Sequence, residues 1–206
     1  MGKVDFKREL RHLYQPKKAF TVVEVPEMQF LMVDGHGDPN VSLEYTEALE
    51  ALYAVAYKIK FVSKKTLERD YVVPPLEGLW WAEDMDTFTV NRTKSAWDWT
   101  MMIMQPEWID ETVCADALEQ VAKSKDLAAL PKLRLERYHE GLCVQIMHVG
   151  SYDDEAPTLT RMHDEWMPEE GYAPSGKHHE IYLSDPRRVA PEKLKTVLRQ
   201  PIRKVG

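Results

Sequence analysis

Apolar and polar residues alternate with two different periods along this chain, and the changes of period mark its predicted elements. The segment FTVVEVPEMQFLMVDGHG, residues 20–37, is rich in β-branched and apolar side chains and is interrupted by Pro26, so it predicts two strands. From Ser42 onward apolar side chains recur at helical spacing, and the Ser42 hydroxyl can cap the helix that they predict. That helix has one buried face, formed by Leu43, Ala48, Leu49, Leu52, Tyr53, Ala56 and Ile59.

Two further apolar runs follow this helix. The first, YVVPPLEGLWWAED at residues 71–84, contains Pro74 and Pro75, which favour an edge strand or an extended segment leading into a strand. The second, WDWTMMIMQP at residues 97–106, is a strand that ends at Pro106. We expect the two strands to pair as a hairpin, joined by the polar stretch from Glu83 to Ala96.

A second cycle of the same elements begins with a predicted helix over about residues 110–124. Its apolar face consists of Val113, Ala117, Leu118 and Val121. The segment LRLERYHEGLCVQIMHVG, residues 133–150, then predicts two strands with a hairpin turn at Glu140 and Gly141. Another helix is expected to start near Pro157 and to run through Leu159, Met162 and Trp166.

The two cycles indicate an internal duplication. Placing Gly37 opposite Gly150 brings FLMVDGHGDPN alongside VQIMHVGSYDD, and each is a strand that ends in glycine and a polar turn before a helix. The order strand, helix, strand, strand then occurs twice, with a break expected near residues 107–112. This order predicts an α+β fold whose helices flank a sheet on one side, with a ligand cleft at the seam between the halves.

The segment HHEIYLSDP, residues 178–186, places a carboxylate in a predicted strand. Its alternation puts His178, Glu180, Tyr182 and Ser184 on one face and Ile181 and Leu183 on the other. We expect the aliphatic pair to meet the helices, so that Glu180 and Tyr182 face the opposite side of the sheet, toward the seam. The alternative is a surface carboxylate on a solvated face, paired with Arg187 or Lys177.

Tryptophans concentrate on one predicted sheet face. Trp80 and Trp81 point to opposite faces of their strand, whereas Trp97, Trp99, Met101 and Ile103 share one face of theirs. Tryptophans usually fill the core, and this interpretation should hold for at least half of the six, including Trp108 and Trp166. Rigid aromatic side chains are equally suited to the walls of a pocket for a flat ligand.

Composition and charge exclude several classes of function. The 206 residues are 44% hydrophobic, enough for a substantial core, and the net charge of −7 disfavours nucleic acid as a partner, because phosphate binding needs a basic field. The chain contains no apolar run long enough to span a membrane, and MGKVDFKREL lacks the core of a signal peptide, so we expect a cytoplasmic protein. Cys114 and Cys143 lack CxxC spacing and are expected to be buried.

Motifs for metal, nucleophilic or phosphate chemistry are absent from the sequence. His178 and Glu180 stand two residues apart, but His139, His148 and His163 add no recognised ligand spacing, so no metal is expected. The chain has no GxSxG, and DGHGDPN lacks the GxxxxGK pattern of a phosphate-binding loop. We therefore expect no cofactor.

Four segments resemble the stand-alone members of the GyrI-like, or gyrase-inhibitor-like, family of small-molecule-binding domains. They are PLEGLWW (75–81), MIMQPEW (102–108), HVGSYDDE (148–155) and HHEIYLSDPRRVAPEKLKTVLRQPI (178–202). The resemblance implies a lead-in over residues 1–19 and one domain over 20–206, built as a duplicated β-α-β-β module of the SHS2 type with pseudo-repeats at about 20–109 and 110–200. It also implies a glutamate on the last strand that anchors aromatic, often cationic ligands, and Glu180 matches that position.

The resemblance also implies alternative functions. Relatives that regulate transcription carry a DNA-binding domain ahead of the module, but about 20 residues precede the first predicted strand here, so DNA reading is not expected. Some stand-alone relatives are hydrolases that open the cyclopropane of cyclopropanoid compounds of the yatakemycin and duocarmycin type. The competing functions are binding of a hydrophobic or cationic aromatic molecule without turnover and, more weakly, inhibition of a protein such as gyrase.

The hydrolase interpretation assigns roles to seven residues. Glu180, desolvated by aromatic neighbours, would have a raised pKa and would act as base toward water. Tyr182 would hold that water or donate to the developing oxyanion. The expected walls of the cleft, which would enclose a flat aromatic or hydrophobic small molecule, are Trp80, Trp97, Trp99, Tyr57 and Met147.

Overall fold

A large antiparallel sheet forms the centre of the molecule. The computed structural model of the chain describes residues 2–82 and 93–206. The strands in these ranges are β1 (Thr21–Val25), β2 (Met28–His36), β3 (Leu76–Trp81), β4 (Asp98–Gln105), β5 (Arg134–Tyr138), β6 (Gly141–Val149), β7 (Tyr172–Pro174), β8 (His178–Tyr182) and β9 (Lys195–Lys204). They pair in the order β1-β6-β9-β8-β3-β4-β2-β5, with β7 beside the end of β9. The predicted α+β class is confirmed.

Helices begin where the sequence provides capping side chains. The described helices are α1 (Phe6–Glu9), α2 (Arg11–Tyr14), α3 (Leu43–Thr66), α4 (Glu111–Ala122), α5 (Ala156–Thr160) and α6 (Met167–Glu169). A 3₁₀ turn at Tyr152–Glu155 precedes α5, and a π-helical turn at Arg161–Trp166 joins α5 to α6. As predicted, the Ser42 hydroxyl accepts the backbone N–H of Tyr45 at 3.2 Å and starts α3.

A membrane-crossing helix would need a long and strongly apolar stretch. Within residues 2–82 and 93–206 no helix meets that requirement.

The strand order is symmetric about its centre. The path β2-α3-β3-β4 in the first half corresponds to β6, the helical segment at residues 152–169, β8 and β9 in the second. Reading the sheet from either edge gives matching strands, and β3 and β8 meet in the middle. The predicted recurrence of strand, helix, strand, strand is therefore present, while the boundary near residues 107–112 stays a prediction.

The two halves exchange their outer strands. β1 precedes the first half yet pairs with β6, and β5 precedes the second half yet pairs with β2. The predicted hairpin between β5 and β6 at Glu140 and Gly141 is therefore wrong. Glu140 lies in the two-residue link between the strands, and its side chain contacts the buried groups Arg199 and His179 at 3.0 and 2.9 Å.

β3 occupies the middle of the sheet and not an edge. It pairs with β4 on one side, with Trp80 opposite Trp99, and with β8 on the other. The edge-strand prediction is wrong and the extended lead-in is right: Pro74 and Pro75 precede the first strand residue, Leu76, so no ladder hydrogen bond is lost to them. The β3–β4 pairing is confirmed, whereas residues 83–92 of the predicted connection lie outside the described residues.

Both faces of the sheet are covered. On one face α3 and α4 pack over β2, β3 and β4, and the helical segment at residues 152–169 packs over β6 and β9. On the other face Leu13 and Tyr14 of α2 cover a second apolar core, which includes the predicted buried Cys143. The predicted buried Cys114 of α4 packs in the first core.

The alternation in β8 is correct, but its assignment to faces is wrong. Ile181 and Leu183 pack in the core that α2 covers, and Tyr182 packs on the face that carries α3. The prediction fails because α2, near the N-terminus, covers the face opposite α3. Both faces of β8 are therefore buried, and its aliphatic side chains do not show which face carries α3. In addition, β8 is followed by β9, so Glu180 does not lie on the last strand.

Candidate functional site

A cavity of about 1370 Å³ lies above the central β3–β8 pair, on the face that carries α3. Its floor is formed by side chains of β3 and β8, one wall by α3, and another by the turn at residues 152–155. Its lining includes Tyr45, Leu49, Tyr53, Leu76, Trp80, Trp97, Tyr152, Glu155, Glu180 and Tyr182. The cavity therefore sits where the two halves of the sheet meet.

A chain of hydrogen bonds fixes the polar groups of the floor. The indole N–H of Trp80 donates to the Tyr182 hydroxyl at 3.0 Å, and that hydroxyl donates to Oε2 of Glu180 at 2.7 Å. Gly78 lies directly opposite Glu180 in the sheet, and a Cβ there would come within 2.8 Å of the Trp80 indole nitrogen. The glycine thus leaves room for Trp80 to reach Tyr182.

Glu180 is ionised despite its burial. Only 16% of its side chain is exposed, and the Nε2 of His178 lies 3.6 Å from its Oε1. Burial alone raises the pKa of Glu180, but the neighbouring His178 ring, the Tyr182 hydroxyl and the His179 charge outweigh burial, so the pKa is lowered. The predicted raised pKa is wrong, because the sequence did not show that hydrogen-bond donors would surround the carboxylate.

Aromatic rings form the walls next to this carboxylate. Trp80 meets Trp97 edge to face, with ring centroids 5.8 Å apart, and Tyr45 lies 6.3 Å from Trp80. Tyr152 meets Tyr182 edge to face at 5.6 Å. Burial raises the pKa of Tyr45, and burial with the charges of Glu155 and Glu180 raises that of Tyr152 to about 12. Both hydroxyls are therefore neutral donors near pH 7.

Five of the seven predicted site residues border the cavity. Glu180, Tyr182, Trp80 and Trp97 lie at its deep end, and Tyr57 lies on its outer rim with 49% exposure. The alternative partners of Glu180 bind elsewhere: Arg187 pairs with Asp185 at 3.0 Å, and the Lys177 amine lies 3.3 Å from the ring centroid of Trp81.

The other two predicted wall residues do not border the cavity. Trp99 is fully buried, and its indole lies over Gly35, where a Cβ would come within 2.1 Å of the ring. Met147 belongs to the core on the opposite face of the sheet, because it is one residue out of register with the cavity side of β6. Trp108 and Trp166 also pack outside the cavity, as the sequence suggested.

Several cavity residues, among them Tyr45, Tyr53, Tyr152 and Glu155, were not identified as site residues from the sequence. Tyr45 and Tyr53 follow the helical periodicity of α3, which assigned Tyr53 to the buried face and gave Tyr45 no role. Tyr152 and Glu155 belong to an acidic turn that reads as solvated surface, yet Glu155 is only 3% exposed. The sequence signal that could have identified them is the position of this turn, directly after Gly150, which follows β6.

The described residues show no donor set for a metal ion. Over residues 2–82 and 93–206 there is no group of three or more His, Cys, Asp or Glu side chains placed to bind one.

Comparisons with known proteins agree with this geometry. An uncharacterized conserved protein from Listeria innocua and a hydrolase from the same organism are each 44% identical to the chain, cover 98% of it and 100% of their own length, and superpose with TM-scores of 0.89 and 0.84. The C-terminal domain of EcmrR, at 11% identity over 91% of this chain and 98% of its own, shares the fold with a TM-score of 0.55. No curated protein matches the chain. The family of GyrI-like small molecule binding domains matches residues 18–203, so the chain belongs to that family and is a small-molecule-binding protein.

Proposed function

We propose that this protein is a hydrolase that opens the cyclopropane ring of cyclopropanoid compounds by adding water. The observation that carries the proposal is the carboxylate of Glu180, held by the Tyr182 hydroxyl at the floor of a cavity with aromatic walls. Such a cavity binds a flat ligand, and its carboxylate can accept a proton from water. The hydrolase from Listeria innocua, 44% identical over nearly the whole chain, supports an enzymatic role.

The reaction asks little of the protein. In a cyclopropanoid the ring is conjugated to a dienone, so the water oxygen bonds to the ring methylene carbon as the ring C–C bond breaks. The electron pair of that bond moves to the dienone oxygen, which becomes a phenolate and then takes up a proton. Glu180 accepts the proton that the water loses, and the neutral hydroxyls of Tyr45 and Tyr152 line the same cavity as hydrogen-bond donors.

Tyr182 takes a different role from the two alternatives that the sequence suggested. Its hydroxyl hydrogen is directed to Oε2 of Glu180, and its oxygen accepts from Trp80. The hydroxyl therefore has no second hydrogen to give to a developing oxyanion. In this proposal Tyr182 orients the carboxylate and keeps it ionised.

Turnover by the wild-type protein is the direct test. Purified protein incubated with a duocarmycin-type cyclopropanoid should release a product heavier by one water molecule, detected by mass spectrometry. In ¹⁸O-labelled water the product should carry the label on the former methylene carbon. Quantitative recovery of unchanged compound that is nevertheless bound would contradict the hydrolase.

Binding without turnover is the second candidate function. An ionised carboxylate among aromatic rings is the arrangement that recognises organic cations, and the lowered pKa of Glu180 favours it. A binding protein of this kind would prefer a cationic aromatic ligand over a neutral one of the same shape, and calorimetric titration of the pair would show the difference.

Trp97 provides a test of the aromatic wall that applies to both candidates. Trp97→Ala should weaken the binding of a flat aromatic ligand by about 1 to 3 kcal/mol, since it removes a wall that packs on Trp80. Fluorescence titration measures the change. Trp166→Ala is the control, because Trp166 packs on Phe20 and Tyr172, away from the cavity. Equal affinities for wild type and folded Trp97→Ala would remove Trp97 from the site.

A further inference from the structure

His178 is a buried polar residue two positions before Glu180 on the same face of β8, just outside the lining of the cavity. It is 6% exposed and does not border the cavity. Its Nδ1 has no hydrogen-bond partner among the residues that the structure describes, and its Nε2 faces Oε1 of Glu180 at 3.6 Å. An imidazole carries at least one N–H donor in every protonation state, and a buried donor without a partner is costly. In folded proteins such groups are usually satisfied by an ordered water molecule.

The distance between His178 and Glu180 fits a shared water. The Nε2 of His178 lies 3.6 Å from Oε1 of Glu180, which is longer than a hydrogen bond of about 2.7–3.2 Å. This gap is too narrow for a water molecule to lie between the two atoms, but a water beside the pair can contact both. The other carboxylate oxygen, Oε2, already accepts the Tyr182 hydroxyl at 2.7 Å. Oε1 is therefore the oxygen that can receive a proton from water.

We propose that His178 is a positioning residue that holds the nucleophilic water against Oε1 of Glu180. The inference rests on the proposed hydrolysis and names the side chain that holds the water molecule used in that reaction. Because His178 does not line the cavity, a flat ligand can fill the cavity without contacting its ring. The water then approaches the ligand from the floor, next to the base.

Other buried polar atoms lie on the same face of the neighbouring strand β9. The Thr196 hydroxyl, on β9 opposite Tyr182, and the Gln200 side-chain oxygen, farther along β9, have no hydrogen-bond partner among the described residues. On the helical side His163 faces His178, and burial together with His178 lowers the pKa of His163 to about 4. His163 thus brings no positive charge near pH 7.

The proton and the electron pairs balance in this arrangement. A lone pair of the held water forms the bond to the ring methylene carbon, and one water proton passes to Oε1 of Glu180. The broken C–C bond leaves its electron pair on the dienone oxygen, which takes a proton from solvent as Glu180 returns one. His178 gains and loses no proton overall, and it directs the lone pair of the water.

A high-resolution crystal structure of the ligand-free wild type tests the water position independently of activity. We expect an ordered water within about 3.2 Å of both His178 Nε2 and Glu180 Oε1, and its loss in His178→Phe. Absence of this water in the wild type would overturn the role of His178 whether or not the protein turns over a cyclopropanoid.

Kinetics then separate positioning from structural support. His178→Phe should lower kcat about 10- to 100-fold with KM within about twofold, and His178→Gln should recover part of the loss because its amide can contact the water. A wild-type kcat in folded His178→Phe would reject the inference. A wild type that holds the water yet hydrolyses no cyclopropanoid would reject the proposed function, and the catalytic role of the water with it.

Discussion

Replacing Glu180 with glutamine lowers the turnover of a neutral cyclopropanoid by about 100-fold or more, while its binding stays within a few-fold of wild type. Glutamine keeps the shape of the side chain and can still accept the Tyr182 hydroxyl, but it cannot take a proton from water. Single-turnover kinetics and a separate binding titration measure the two effects. Glu165→Gln, the same substitution at an exposed position outside the cavity, is the matched control.

The pH dependence follows from the direction of the Glu180 pKa shift. Because the pKa is lowered, the carboxylate stays ionised as pH falls from 8 to 5, so Glu180 causes no loss of activity in that range. Activity should decline only below about pH 4.5, the ordinary value for a glutamic acid. A wild-type rate in Glu180→Gln would reject this residue as the base. Unchanged binding of neutral ligands with weaker binding of cations, and no turnover in the wild type, would favour the binding protein.

Replacing Glu140 with glutamine should lower the free energy of unfolding by about 3 to 5 kcal/mol. On the face of the sheet opposite the cavity, Glu140 lies 2.9 Å from His179 and 3.0 Å from Arg199, and all three side chains are at most 2% exposed. Glu77 contacts the other ring nitrogen of His179 at 3.0 Å and accepts the Tyr14 hydroxyl at 2.9 Å. The glutamine variant leaves a buried positive charge without its partner. Urea unfolding of the variant measures the loss.

The same network predicts how stability depends on pH. Burial lowers the pKa of His179, but the charges of Glu140 and Glu77 outweigh burial and raise it to about 9. Because the pKa of His179 is higher in the folded than in the unfolded protein, its charge stabilises the fold fully below the unfolded pKa of about 6.5. This stabilisation, roughly 3 kcal/mol, is lost as pH rises through about 9. In Glu140→Gln this loss at alkaline pH should shrink.

Matched variants make the network test decisive. Glu119→Gln breaks a pair with Lys123 whose side chains are 64% and 70% exposed, and it should change the free energy of unfolding by less than about 1 kcal/mol. A Glu140→Gln variant as stable as Glu119→Gln, with an unchanged pH profile, would show that the buried charges do not stabilise the fold.

Local pattern predicted the elements well, and nonlocal pairing accounts for the errors. The Ser42 cap, the periodicity of α3, and the separation of Trp80 from Trp81 depend on neighbours in the sequence, and each was predicted. The partner of β5 depends on whether β2 or β6 offers the better edge, and nothing within residues 133–150 encodes that choice. In addition, a strand that is buried on both faces does not show the alternation of apolar and polar residues that would distinguish its inner face from its outer face.

Strand alternation predicted which site residues share a face of the sheet, but it did not predict how they are arranged on that face. Alternation grouped Glu180 with Tyr182 and placed Trp97 and Trp99 on one face, but it gave no depth along that face, so the fully buried Trp99 could not be told from the cavity wall. The pKa of Glu180 depends on Tyr182, His178 and His179 together, and the sign of that balance emerges only from their positions. Glu155 was missed because a buried acidic side chain in a polar turn leaves no local signal.

The exchange of β1 and β5 makes each half incomplete by itself. A separately expressed C-terminal half would lack β1 and leave the outer side of β6 unpaired, while its own β5 would have no β2 to join. Open strand edges of this kind recruit matching chains, so such a fragment should form dimers through β5 or aggregate. In the intact chain the reciprocal pairing joins residues 21–25 to 141–145 and residues 28–32 to 134–138, so each half supplies an outer strand to the other. Pairings between residues so distant in sequence form late, so we expect the two halves to fold in one cooperative and comparatively slow step.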